Sequence, residues 1–237
     1  MAQRFTMPRT STRIGKGLKR PRGLETTFST DKNNGPVNPL MQMLSQTTDT
    51  YINTTTNTIS HHEVFIDAEI TEPENYRELI SLLFNANEGD SVTLFINSGG
   101  GNLDTALAII EGLKNTQAHV IAAIIGACHS AASFISMYAH EVAVLDSAYM
   151  MVHTATFGSV GMTGNVKAHT DFTVRQVEKL INETYEGFLT AVEITKVKAG
   201  VELWFSADDI KERMIKRVKH LDTVAKKKAK SDLKAEK

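Results

Sequence analysis

The chain has 237 residues, enough to bury one substantial core, and its 41% apolar and 22% charged residues are ordinary for a globular protein. Its one cysteine, Cys128, cannot form an internal disulfide, so the composition does not call for an oxidising compartment. The net charge of −1 conceals an asymmetry: residues 1–22 carry seven Lys or Arg and no acid, residues 211–237 eleven against four, and the middle eight against 23.

Basic arms can bind nucleic acid or anionic surfaces but are more often solvated tails, and no nucleic-acid partner is expected here. The Arg-rich start also has a transit-peptide composition, without a clear apolar face. The longest apolar-rich run, 119–125, is too short to cross a membrane as a helix, and no basic-then-apolar signal opens the chain. Export and membrane insertion are therefore not expected, and a cytoplasmic location is.

In chain order, residues 1–60 read as a flexible basic and polar arm. They hold four of the five prolines, the turn signal Asn33-Asn34-Gly35 and a polar Thr/Asn tract at 46–60. Only 36–44, with Leu40, Met41 and Leu44, has the pattern of a short helical turn. Residues 63–67 then read as a buried strand. Thr71 or Glu72 opens a helix with Pro73 in its first turn and Tyr76, Leu79, Ile80, Leu83 and Phe84 on one face. A second strand at 92–96 leads into Ser98-Gly99-Gly100-Gly101. A helix over 103–115 follows, then a strand at 119–125, a small-residue helix at 131–139, and short strands at 142–145 and 149–152.

Strands alternating with helices, and continuously apolar strands, predict an α/β domain with a largely parallel sheet. In such sheets chemistry gathers at the carboxyl ends of the strands. Gly158, Gly161 and Gly164 separate this core from a long helix over about 166–199, with a seam of Val177, Leu180, Ile181, Tyr185, Phe188, Leu189 and Val192. That helix either projects against another subunit or folds back on the core. Ser206 and Asp209 resemble a capping box at the start of a last helix, and the Lys-rich end after Leu221 is expected to fray. The domain is thus placed at 61–220, with a disordered tail at 221–237.

Three features can carry chemistry. The glycines after Asn97-Ser98 allow a backbone to approach a ligand and aim N–H groups at an anion, although such loops are often plain turns. The Gly-Lys-Ser/Thr element of a phosphate-binding loop is missing. Ser130 follows a strand at the start of a helix, where the Ala131 N–H could face an oxyanion; the plainer alternative is a helix cap. His153, after the strand at 149–152, could serve as its general base, with His129 a competitor. No histidine pair has metal-ligand spacing.

The segments 95–101, 125–130, 151–153 and 205–207, taken in order, resemble the landmark segments of the Clp protease proteolytic subunit. The resemblance spans roughly 62–220. It implies a ClpP/crotonase-like α/β fold: a core of repeated β-β-α units in a spiral, with a projecting handle helix. It makes Ser130 the nucleophile, His153 the base, and Gly101 and Ala131 the oxyanion-hole donors. Glu202 falls where the family has an aspartate, with Asp171 as a fallback acid. Gly99 replaces the family's proline, Thr154-Ala155 replaces Gln-Pro, and Ser133 ends a second Ala-Ala-Ser that breaks the spacing from the loop.

The implied activity is that of a serine endopeptidase working through an acyl-enzyme, with no cofactor of its own. The implied partners are further copies of the chain in stacked heptameric rings, peptide substrates, and an AAA+ unfoldase that spends the ATP. A catalytically silent ring subunit and a crotonase-like acyl-CoA enzyme are the alternatives.

Overall fold

The computed structural model describes residues 2–8 and 58–235. Four strands, β2 (His61–Ile66), β3 (Ser91–Ser98), β4 (His119–His129) and β5 (Glu141–Val144), run parallel in the spatial order β5-β4-β3-β2. Parallel neighbours need crossovers, and each crossover here carries a helix. These are α1 (Arg77–Asn85), preceded by a 3₁₀ turn at Pro73–Tyr76, then α2 (Leu103–Asn115) and α3 (Ala131–Met137). Pro73 occupies the first helical position after Glu72, as the sequence predicts.

Burial alternates along β3, although its middle residues Leu94, Phe95 and Ile96 are all apolar. Val92, Leu94 and Ile96 are buried in a core with Leu83, Ile109, Ile110, Leu113 and Ile135 from the three helices. The other face of the same strands carries Phe95, stacked at 4.9 Å on Phe65, which stays 59% exposed.

β4 is longer than the apolar run because it serves two neighbours. Residues 121–124 pair with β5, while 127–129 pair in parallel with β6 (Tyr149–Val152). β7 (Leu203–Ser206) closes antiparallel on β6. The α/β architecture is the one expected from the strand–helix alternation.

Three segments differ from expectation. β1 (Gln3–Thr6) lies within the arm predicted to lack structure, yet pairs antiparallel with the open edge of β5. Phe5 supplies the reason, since its side chain is buried in the core beneath that edge. Residues 9–57, with the 33–35 turn signal and the 36–44 segment, lie outside the described residues.

The single helix predicted over 166–199 is two, α4 (Thr163–Thr184) and α5 (Ala191–Lys198). Gly187 breaks it with φ +74°, a left-handed conformation that favours glycine. Thr190 and Glu193 then form a capping box that starts α5. Val177, Ile181, Tyr185, Phe188 and Leu189 of the predicted seam are buried, but Val192 belongs to the new helix and is 66% exposed.

The last helix, α6, opens as predicted: Asp209 accepts from the Ser206 N–H at 3.0 Å and from the Ser206 hydroxyl at 2.6 Å. It continues to Ala235 instead of fraying after Leu221. Ala, Lys and Leu favour helix, and the Asp222–Lys226 pair at 2.6 Å supports the exposed turn. Among the described residues, no helix is long and apolar enough to cross a membrane.

Candidate active site

The site is assembled where β3, β4 and β6 end. After Ile96 the register between β3 and β4 shifts. Asn97 spans the irregularity, its Oδ1 accepting from the Ala127 N–H at 3.0 Å. Gly126 makes room for that side chain, because a Cβ there would collide with the Asn97 amide. Ser98 is buried and shapes the glycine loop: its hydroxyl donates to the Ala68 carbonyl at 2.5 Å and accepts from the Gly100 N–H at 3.1 Å.

Gly100 has φ +91°, and a Cβ on it would lie 2.6 Å from the His129 oxygen and 2.7 Å from Ser130 Cβ. Only glycine lets the loop press this closely on the turn at Ser130. The Gly100 carbonyl accepts from Ile70 and the Ile70 carbonyl from Asn102, which brackets Gly101. Among the described residues, no backbone carbonyl accepts the Gly101 N–H.

Ser130 is held at the end of β4 by its N–H, which donates to the Met151 carbonyl at 2.9 Å. Its φ of +52° and ψ of −122° make it the one non-glycine with positive φ among the described residues. Such a conformation costs on the order of 1–3 kcal/mol and persists only where the surroundings over-determine it. Although Ser130 occupies the N-cap position of α3, its side chain caps nothing. Instead Oγ lies 2.7 Å from Nε2 of His153. The parallel pairing of His129 with Met151 brings the two side chains together across 23 positions of sequence.

His153 follows β6 and is half-buried. The β6–β7 ladder ends at Val152 opposite Leu203, so Glu202 adjoins His153 in the register. Glu202 is exposed, however, and among the described residues no carboxylate hydrogen-bonds the His153 ring. Asp171 lies on α4 and pairs with Lys167 at 3.2 Å. The serine and histidine are therefore brought into contact, whereas neither acid is.

The local competitors are otherwise engaged. His129 packs edge-on against Tyr149 and Trp204, both at 5.0 Å, and burial lowers its pKa. Ser133 is fully buried, donating to the Ser130 carbonyl at 2.7 Å and lying 2.6 Å from the Tyr185 hydroxyl. Burial pushes the Cys128 thiol up to about 12, which keeps it protonated and unreactive at neutral pH.

Sequence reasoning missed the supports. Asn97 was visible as part of the glycine segment, but its partner Ala127 was not. Tyr185 read as one more apolar seam position, and only its hydroxyl hinted at a buried polar partner.

The serine–histidine contact lies at the carboxyl edge of a parallel sheet, beside a glycine loop whose Gly101 N–H meets no backbone carbonyl among the described residues, and the fold around it is of the α/β class. More particularly, residues 45–218 match the family model described as Clp protease. The chain belongs to the Clp protease family, a family of peptidases, and has its fold.

Proposed function

We propose that this chain is a serine endopeptidase, and the contact of Ser130 Oγ with His153 Nε2 at 2.7 Å carries that reading. His153 takes the Ser130 proton as Oγ attacks the scissile carbonyl carbon, and the N–H groups of Gly101 and Ala131 receive the oxyanion. The imidazolium protonates the departing amine, leaving an ester on Ser130. Water, deprotonated by His153, then releases the acid product and restores the serine.

Glu202 is the acid of this proposal. It adjoins His153 in the β6–β7 register, and its role in this reading is to hold the imidazole tautomer through Nδ1. Stacked rings of this chain and an AAA+ unfoldase belong to the same reading, by family membership. The chain's own chemistry uses side chains and backbone alone, and ATP is spent by the unfoldase. Cytoplasmic action on peptides fits this scheme.

A catalytically silent ring subunit is the second reading, favoured by the absence of a carboxylate bonded to His153 among the described residues. Labelling with a fluorophosphonate, followed by mass-spectrometric mapping, separates the two. Modification at Ser130, lost in Ser130→Ala, is the expected result; modification elsewhere, or none, sinks the endopeptidase reading.

A further inference from the structure

Below Ser130 lies a chain of two hydroxyls that the proposed reaction does not use. Ser133 Oγ is 2.7 Å from the Ser130 carbonyl oxygen and 2.6 Å from the Tyr185 hydroxyl. A carbonyl has no proton to give, so the Ser133 proton goes to Ser130 and the Tyr185 hydroxyl must donate to Ser133. Both residues are fully buried. Burial also pushes the Tyr185 pKa well above the usual phenol value, so the donor keeps its proton.

The far end of this chain is firmly held. Tyr185 closes α4, its N–H donating to the Ile181 carbonyl at 3.1 Å. Its ring packs against Phe134 of α3 at 5.2 Å and Phe188 at 6.4 Å. The near end meets the strained residue. The Ser130 carbonyl also accepts from the Ser133 N–H at 2.9 Å and the Phe134 N–H at 3.2 Å.

The Ser130 carbonyl and the Ala131 N–H belong to one planar peptide unit and point in opposite directions. Drawing the carbonyl into α3 therefore aims the N–H out of its start. We propose that Tyr185, acting through Ser133, is a positioning residue that orients the Ala131 N–H for an oxyanion on Ser130. The inference rests on the reading of Ser130 as nucleophile and Ala131 as oxyanion donor.

The test compares the full chain with Tyr185→Phe, Ser133→Ala and the double variant. Readouts are peptide hydrolysis, affinity for a peptide boronate, and hydrogen exchange over 130–134. Outright removal of an oxyanion donor costs about 10²–10³ in kcat, so misaiming one is expected to cost about tenfold. KM should not move, and boronate affinity should fall with kcat. The double variant should be no worse than either single, because the two hydroxyls act in series.

A lowered melting temperature with kcat and boronate affinity within twofold of the parent overturns the proposal. So do losses that multiply in the double variant. Exchange is read even if the parent hydrolyses nothing: faster exchange over 130–134 in Tyr185→Phe supports the tie, and unchanged exchange overturns it. Failure of the parent to label at Ser130 would instead defeat the nucleophile reading, independently of that result.

Discussion

Gly100 and Ser130 touch so closely that a Cβ on the glycine would stand 2.7 Å from the serine Cβ. The glycine loop and the serine turn thus pack directly against each other. Gly100→Ala should force them apart, adding strain at φ +91° to the overlap. The expected outcome is a fall of more than tenfold in the fluorophosphonate labelling rate and a stability loss of roughly 1–3 kcal/mol in urea titration. Labelling at the parental rate would show that the loop does not shape the serine turn.

Strain at Ser130 can be read separately from its chemistry. Ser130→Ala and Ser130→Gly both delete the hydroxyl and should both abolish labelling. Glycine accepts φ +52° where alanine does not, so Ser130→Gly should be the more stable of the two by about 1 kcal/mol. Differential scanning calorimetry of the pair decides; equal melting temperatures would mean the turn relaxes in the variants.

Arg217 of α6 is buried, has no carboxylate partner among the described residues, and caps helix ends. It donates to the carbonyls of Thr184 at 2.6 Å, Glu186 at 2.7 Å and Met137 at 3.3 Å, tying α6 to the ends of α4 and α3. Burial lowers its pKa to about 10. Arg217→Leu leaves those carbonyls unpaired in the core and should destabilise by about 2–4 kcal/mol. Arg217→Lys should recover only part, since one ammonium cannot reproduce the planar fork. Equilibrium unfolding of both variants is the check, and a neutral leucine variant would remove Arg217 from this role.

Stability should fall in acid through the start of α5. Arg213 pairs with both Glu193 oxygens, at 3.0 and 2.7 Å, and with Thr190 it depresses the Glu193 pKa to about 2. A carboxyl depressed in the folded state stabilises the fold above its unfolded pKa of about 4.3. That contribution is lost as pH falls through the folded value. The pair is partly exposed, so the effect is on the order of 1 kcal/mol. Glu193→Gln should show a shallower decline in stability between about pH 5 and pH 2. An unchanged pH slope would assign the acid sensitivity elsewhere.

Much of the fold was legible locally. The α2 boundaries, the β6 boundaries, Pro73 at the first helical position and the Ser206–Asp209 cap follow from periodicity and side-chain chemistry acting within a few residues. The break at Gly187 and the Thr190–Glu193 box were equally local signals, but the regular seam ran across them and hid the turn. β1 was invisible for a different reason. Four residues with one aromatic become a strand only because β5 offers an edge far along the chain.

The candidate site divides in the same way. Local patterning sufficed to set Ser130, Gly101 and His153 each after a strand, where a parallel sheet concentrates its chemistry. It could not tell whether Ser130 caps a helix or meets a histidine, since a cap is a local contact and His153 lies 23 positions on. The contact comes from the packing: β4 runs on to pair with β6, the positive φ turns the hydroxyl off the helix, and His153 meets it at 2.7 Å. The same structure left Glu202 beside the histidine yet unbonded to it, and supplied the buried hydroxyls of Ser133 and Tyr185 instead. Register and burial depend on residues dozens of positions apart, and no local pattern encodes them.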